Sequence, residues 1–151
     1  MPATVWGPML LLALLILIDQ GIKLVIHRKY RRANRVIWPG RLRFRPVQNT
    51  RHSWLGDRGV PLFGNKAFAV STKLVVSCIF AGVMWAAMGY SGAVATCTAF
   101  ALAGALCSLI DSAFWGGSID YIRIERRFTF DLKDVYLLVF IIAVVVWLFV
   151  G

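Results

Sequence analysis

The basic residues of this chain are confined to its middle and leave three long stretches without a positive charge. All 17 Lys and Arg lie between Lys23 and Lys133, and none occurs in residues 1–22, 74–122 or 134–151. Those stretches are apolar, and a helix of about 20 apolar residues is long enough to cross the hydrocarbon core of a bilayer. The distribution of charge therefore predicts a polytopic integral membrane protein whose basic residues occupy the loops.

The composition supports a membrane protein and argues against a nucleic-acid-binding one. Hydrophobic residues make up 59% of the chain and charged residues 16%, whereas soluble domains are about half apolar and a quarter charged. The net charge of +10 is not accompanied by a motif that reads a nucleic-acid groove. We therefore expect the basic loops to contact anionic lipid headgroups, and we expect no nucleic-acid partner.

Four apolar segments predict four membrane-spanning helices. We expect them at about residues 5–26, 67–90, 93–110 and 134–150 of a single membrane domain that covers residues 1–151. The first segment has no basic residue before it and no small-residue cleavage site, so we interpret it as a retained helix instead of a signal peptide. A short turn between the second and third segments predicts that they form an antiparallel hairpin.

Two polar segments separate the predicted helices. Residues 27–66 are rich in arginine, and Arg41 to Arg45 alternate basic and apolar side chains as a half-exposed strand does. We expect a small sheet there, on the membrane surface, and an active-site loop over residues 111–134. The predicted fold is an all-α membrane protein with four transmembrane helices and a small β-sheet surface subdomain after the first helix.

Acidic residues gather at the ends of the predicted helices, on one side of the membrane. Asp19 and Lys23 are four residues apart near the end of the first helix, so they share a helix face and can pair. Asp111 closes the third helix, Asp120 follows it, and Asp134 opens the fourth. An ionisable side chain costs roughly 2.5–3.5 kcal/mol at the centre of a membrane span, so such residues are candidates for function.

Two converging carboxylates can hydrolyse a peptide bond without a metal or a cofactor. Because like charges a few Å apart do not both ionise easily, such a pair shares one proton. The ionised member takes a proton from water, and the protonated member donates to the scissile carbonyl. His27 and His52 lie in the basic loop, and the three cysteines lie in apolar runs without metal-ligand spacing. We therefore expect neither a metal site nor a cofactor.

The segment GALCSLIDSAFWGGSIDYI (residues 104–122) and the following FTFDLKDVYLL (residues 128–138) resemble the signal peptidase II family. That family comprises the intramembrane aspartic peptidases of lipoprotein maturation. The acidic residues of its GNxxDR, VVDF-like and FNxAD motifs correspond to Asp111, Asp120 and Asp134. The resemblance implies that Asp120 and Asp134 are the catalytic pair and that Asp111 supports them.

Other parts of the chain extend this resemblance to nearly its whole length. The DxxxK pattern of the family's first helix corresponds to Asp19 and Lys23, and its NxGxAF loop motif corresponds to NTRHSW, which begins at Asn49. Four spans with a surface sheet after the first are also typical of the family. The resemblance implies that Asp19, Lys23 and Asn49 help to build the active site.

Several family residues are replaced, which indicates a divergent paralogue. The replacements are Cys107-Ser108 for the helix-end Gly-Asn, Ser112 for the following Arg, Arg51 and Trp54 for the loop Gly and Phe, and Asp131 for the Asn of FNxAD. Ser108 and Ser112 thus stand at supporting positions, but a serine does not hold a carboxylate as a bidentate arginine does. We expect Arg123, Arg126 or Arg127 to substitute for the missing arginine.

The resemblance implies an intramembrane aspartic endopeptidase of the cell membrane. Its substrate would be the signal peptide of a lipid-modified prolipoprotein or a similar membrane-tethered precursor. The replaced motif residues favour an alternative hypothesis, a non-peptidase paralogue that binds membrane lipids or a partner. Helix capping alone would account for Asp134, and the family pattern is what favours catalysis there. A proton-coupled transporter is disfavoured because no acidic residue lies at mid-membrane.

The charge rule and the resemblance predict opposite orientations in the membrane. Four spans put both termini on one side and both basic loops on the other, and the positive-inside rule then places the loops in the cytoplasm. In the family, the active site faces the extracytoplasmic side. Because long or folded loops partly escape the charge rule, we follow the resemblance.

Overall fold

Four long helices and one small sheet form the molecule. The computed structural model describes residues 3–39, 41–49, 65–124 and 128–150. The helices are α1 (Ala3–Val25), α2 (Lys66–Met88), α3 (Gly92–Phe114) and α4 (Leu132–Val150), and a π-helical turn (Ile26–Tyr30) prolongs α1. All four are long and apolar enough to cross a membrane. The predicted fold class is confirmed.

The helix α3 lies at the centre of the bundle and contacts each of the other three. Its buried residues are mostly small, including Ala95, Ala99 and Ala103. Small residues let helices approach closely within a bilayer, where packing contacts replace the hydrophobic effect. At Gly104, a Cβ atom would lie 2.8 Å from Cγ of Leu137 and 3.3 Å from the carbonyl oxygen of Lys133. The first turns of α4 are therefore held tightly against α3.

The sheet has four antiparallel strands in the order β1-β2-β3-β4. Its strands are β1 (Arg35–Trp38), β2 (Leu42–Asn49), β3 (Ser118–Ile124) and β4 (Phe128–Phe130). The sequence predicted a sheet only in residues 27–66, which supply β1 and β2. Residues 118–124 and 128–130, which were expected to belong to a loop, supply the other two strands. Asp120 consequently lies in a strand, where it pairs in register with Val47 of β2.

The strand β2 connects the sheet to the end of α1. Its side chains alternate as predicted, with Phe44 partly buried and Arg43 and Arg45 exposed. Phe44 packs with Ile119 and Tyr121 against Ile26, which follows α1. This apolar cluster fixes β3 relative to α1.

A bulge in β2 adjusts its pairing with the strand that carries Asp120. Phe44 pairs with Ile122 and Val47 pairs with Asp120, so two residues of β2 lie opposite the single residue between them. One of the two is Pro46, which has no N–H to donate and is tolerated at a bulge. The pairing resumes at Val47 and continues to Asn49.

A glycine pair turns the chain from α3 into β3. Gly116 has a φ of 70° and Gly117 a φ of 147°, both in a region that L side chains rarely adopt. The N–H of Gly117 donates to the carbonyl oxygen of Asp111 at 3.1 Å. Because side chains alternate along a strand, Ser118 and Asp120 then share one face of β3.

We expect Gly104→Ala to lower the melting temperature, because the new methyl group would press on Leu137 and push α4 away from α3. Overpacking of this kind costs about 1–3 kcal/mol. Thermal unfolding in detergent, followed by tryptophan fluorescence, measures the change. Gly82→Ala in α2 is the matched control, because nothing lies within 4 Å of its Cβ position. An equal loss in both variants would contradict the close α3–α4 contact.

Candidate active site

A buried ammonium group, Lys23, lies at the centre of a network of carboxylates. Its Nζ atom is 2.8 Å from Asp19 Oδ2, 2.7 Å from Asp111 Oδ2 and 2.8 Å from Asp131 Oδ2. The Lys23 side chain is 0% exposed. A buried charge is tolerated only when it is paired and hydrogen-bonded. The pairing of Asp19 with Lys23 that their spacing predicts is present, and it is joined by Asp111 from α3 and by Asp131, which directly precedes α4.

A second ammonium group, Lys133, lies beside the first. Its Nζ donates to Asp131 Oδ2 and, at 2.5 Å, to Ser118 Oγ. It is also 3.3 Å from Asp111 Oδ2 and 3.9 Å from Asp120 Oδ1. The sequence analysis missed both Lys133 and Ser118. Lys133 could have been found from its position in the first turn of an apolar helix. The helix dipole disfavours a cation there, so anionic partners must offset the cost.

Asp131 and Asp134 form a reciprocal cap at the start of α4. The N–H of Asp134 donates to Asp131 Oδ1 at 3.4 Å, and the N–H of Asp131 donates to Asp134 Oδ2 at 3.2 Å. Such an exchange satisfies two backbone donors that have no partner within the helix. The cap also fixes the direction of the Asp134 side chain.

The two predicted catalytic carboxylates lie side by side. Asp120, Asp131 and Asp134 each contribute an oxygen, and these three oxygens lie within 4.8 Å of one another. Asp120 is buried and accepts a hydrogen bond from Ser118 Oγ at 2.6 Å. Asp134 is the most exposed of the three. The arrangement brings together two carboxylates on different elements, with a protein ammonium group next to them.

Three carboxylate oxygens also form the type of ligand set that a hard divalent cation prefers. Here Asp131 already contacts the ammonium groups of Lys23 and Lys133. These contacts supply positive charge to the cluster from the chain itself. We therefore assign no metal to these oxygens, and the expected absence of a metal and a cofactor stays a prediction.

The environments of Asp120 and Asp131 shift the proton affinity of their carboxyl groups in opposite directions. Burial raises the pKa of Asp120 above its usual value, against the opposing effects of Ser118 and Lys133. Burial alone would also raise the pKa of Asp131, but the adjacent Lys133 and Lys23 outweigh it and hold that pKa below its usual value. Asp131 therefore favours its anionic form, whereas Asp120 binds a proton more readily.

A lysine of α2 contacts Ser112, the residue that replaces the arginine of the family's helix-end motif. Lys73 Nζ donates to Ser112 Oγ and, at 3.3 Å, to the carbonyl oxygen of Ser108. The substitutes that we expected were arginines of the second polar segment, and that expectation stays a prediction. Of these, Arg123 lies in β3 opposite Arg43 of β2. Arg126 and Arg127 lie outside the described residues, as do Arg51, His52 and Trp54.

Two further side chains border the network. Gln20, which the sequence analysis missed, donates from Nε2 to Asp19 Oδ2 at 3.0 Å and to Asp111 Oδ1 at 3.3 Å. Its Oε1 accepts a hydrogen bond from Trp115 Nε1 at 3.0 Å. Asn49, at the end of β2, is exposed and pairs in register with Ser118, so the two residues lie on the same face of the sheet.

We expect Asp120→Asn and Asp131→Asn to change the melting temperature at pH 7 in opposite directions. Because the pKa of Asp120 is raised on folding, the native state loses stability as that carboxyl ionises with rising pH, and Asn removes the cost. The pKa of Asp131 is lowered, so its anion stabilises the native state above its unfolded pKa, and Asn removes about 3 kcal/mol of ion pairing.

Thermal unfolding at pH 7 and pH 4 tests the direction of both changes in melting temperature. The rise in melting temperature that Asp120→Asn causes should be smaller at pH 4, where the carboxyl group of Asp120 is about half protonated in the unfolded state. Shifts of the same sign for the two variants at pH 7 would contradict the assignment of environments.

Comparison with solved structures identifies two similar folds. One is a bacterial membrane enzyme solved by the in meso method at 2.3 Å resolution, with a TM-score of 0.72 and 19% identity over 94% of this chain and 87% of that one. The other, solved by the same method at 1.9 Å, has a TM-score of 0.73 and 18% identity over 93% of this chain and 91% of that one. At this identity, the likeness establishes the fold.

Comparison with protein families gives a match over almost the whole chain, whereas no curated protein matches significantly. The family is described as signal peptidase (SPase) II, and its model covers residues 11–150. The matched range includes Asp19, Lys23 and both predicted catalytic residues. This chain, a multi-pass membrane protein, belongs to the signal peptidase II family of peptidases.

Proposed function

We propose that this protein is an aspartic endopeptidase whose catalytic residues are Asp120 and Asp134. The observation that carries the proposal is the approach of their carboxylate oxygens to within 4.8 Å of each other. The two residues come from β3 and α4, and the intervening chain includes β4. Membership of a peptidase family supports the same conclusion.

The proposed mechanism uses one shared proton and no covalent intermediate. The ionised carboxylate removes a proton from a water molecule, and the resulting hydroxide attacks the scissile carbonyl carbon. The protonated carboxyl donates its proton to the carbonyl oxygen, which gives a neutral tetrahedral diol. As the C–N bond breaks, the first carboxyl protonates the leaving nitrogen and the second takes back a proton from the diol. The pair is then ready for another cycle.

We propose a membrane-tethered prolipoprotein as the substrate. Asp111, Asp120 and Asp134 lie where α3 ends and α4 begins, next to the sheet, which suits a scissile bond near the membrane surface. An open apolar groove of about 540 Å³ lies between α1 and the sheet, with Ile18 and Tyr121 among its lining residues. Such a groove suits the acyl chains of a lipid-modified substrate.

A cleavage assay tests the catalytic pair. Purified protein in lipid should cleave a diacylated prolipoprotein before its lipidated cysteine, and Asp120→Asn and Asp134→Asn should each reduce the rate by at least about 100-fold. The same precursor without its lipid is the substrate control, and melting curves establish that each variant is folded. Full activity in either folded variant, or no cleavage by the folded wild type, would contradict the proposal. The alternative of a non-peptidase, lipid- or partner-binding paralogue finds no support in the comparisons.

We further propose that exposed side chains of the first hairpin, β1–β2, contact anionic lipid headgroups. Arg43 and Arg45 are exposed in β2, and Arg35 and Trp38 are exposed in β1, with Trp38 66% exposed. Arginine and tryptophan together suit the interface between headgroups and water. No nucleic-acid partner is proposed.

We expect the double variant Arg43→Gln/Arg45→Gln to retain fewer anionic lipids, because each basic residue near a membrane surface contributes about 1 kcal/mol. Native mass spectrometry that compares bound phosphatidylglycerol with phosphatidylcholine measures the effect. The control Arg43→Lys/Arg45→Lys keeps the charge and should behave as the wild type does. Equal retention of anionic lipid in the Gln and Lys variants would refute this contact.

We place the protein in the cell membrane with the sheet on the extracytoplasmic side, as the family resemblance implies. The positive-inside rule applies chiefly to short loops. Here several of the arginines belong to a folded sheet, which supports an exception to that rule.

A further inference from the structure

The contacts of Lys133 point toward the catalytic pair. Lys133 directly precedes Asp134 in the chain, and its Nζ is 3.9 Å from Asp120 Oδ1. The side chain is only 7% exposed. Asp131, its nearest anion, is already paired with Lys23 at 2.8 Å. Neutralising Asp131 is therefore not the only electrostatic effect of this second buried cation.

A hydroxyl group connects Lys133 to Asp120. Lys133 Nζ donates to Ser118 Oγ at 2.5 Å, and Ser118 Oγ donates to Asp120 Oδ1 at 2.6 Å. Other acceptors for the Ser118 hydroxyl are farther away, with Asp131 Oδ2 at 3.4 Å and Asp111 Oδ2 at 3.5 Å. Because the ammonium group occupies a lone pair of the hydroxyl, it polarises the O–H and strengthens its donation to Asp120. Both the charge and the hydrogen bonds favour the ionised form of Asp120.

The charges around the pair come from all four helices, from β3 and from the residue that precedes α4. Within the described part of the chain, five carboxylates and three ammonium groups make up this cluster: Asp19 and Lys23 from α1, Lys73 from α2, Asp111 from α3, Asp120 from β3, Asp131 before α4, and Lys133 and Asp134 from α4. Carboxylates are in excess, so the loss of one ammonium group has a large effect on how tightly the remaining carboxylates hold protons. Lys133 is the ammonium group with an ion-pair contact to Asp120.

We propose that Lys133, acting partly through Ser118, is a positioning residue that sets the working pH of the Asp120–Asp134 pair. It keeps one carboxylate of the pair ionised at a lower pH than burial among acidic neighbours would allow. This inference rests on the proposed peptidase function and adds a residue to its machinery.

The test is the pH dependence of kcat/KM for cleavage of the diacylated prolipoprotein. Lys133→Met removes the charge and keeps most of the side-chain length. The acid limb of the kcat/KM profile should therefore move by about 1 pH unit toward alkaline pH. Ser118→Ala should move it in the same direction by less. Asp131→Asn removes a negative charge and should move the limb toward acid. Lys133→Arg, which keeps the charge, should leave it near its wild-type position.

A merely structural role of Lys133 would lower the rate at every pH without moving the limb. An unmoved limb in an active Lys133→Met variant would therefore overturn the proposal. If that variant does not fold, Ser118→Ala and Asp131→Asn must still shift the acid limb in opposite directions. A shift in the same direction in both variants would also overturn the proposal.

The proposed function and this inference fail in different ways. A folded wild type that cleaves no prolipoprotein contradicts the function itself. In that case, infrared titration of the carboxyl bands, assigned with Asp120→Asn, still reports on the inference. Ionisation of Asp120 at the same pH in the wild type and in Lys133→Met would refute it.

Discussion

The contact of one buried ammonium group with three carboxylates holds the candidate active site of this protein together. Lys23 joins its own helix to Asp111 of α3 and to Asp131 at the start of α4. Removing one member of such a buried set typically costs about 3–5 kcal/mol, because the others remain charged and unpaired. The ends of α1, α3 and α4 are therefore linked by charge as well as by packing. The positions of Asp120 and Asp134 depend on this contact between the three helix ends.

The candidate pair depends on a sheet as much as on helices. Asp120 belongs to β3, which pairs with β2 and β4, and Asp134 belongs to the capped first turn of α4. The glycine turn after α3 and the apolar cluster around Ile26 determine how β3 approaches α4. The surface subdomain thus contributes directly to the site, since it carries one of the two carboxylates.

The sequence predicted the helices, the Asp19–Lys23 contact and the proximity of Asp120 to Asp134. Helices follow from long apolar runs, and a pair four residues apart is a local property. The strand β3 was missed although Ser118 to Tyr121 alternate polar and apolar side chains, because residues 111–134 were interpreted as one polar loop. The contacts of Lys133 with Ser118 and of Lys73 with Ser112 join residues distant in sequence, and no local pattern encodes them.

The close approach of α4 to Gly104 also bears on how the protein responds to bilayer thickness. Gly104 meets Leu137 and the carbonyl oxygen of Lys133, so packing on α3 sets the height of the first turns of α4. This helix has 19 residues, and a mismatch between its apolar length and the surrounding lipid must be absorbed by tilt or by deformation of the bilayer. Because the first turns of α4 are packed on α3, we expect this adjustment at the opposite end of α4, near Phe149. Thicker or thinner membranes should therefore leave the spacing of the carboxylates unchanged.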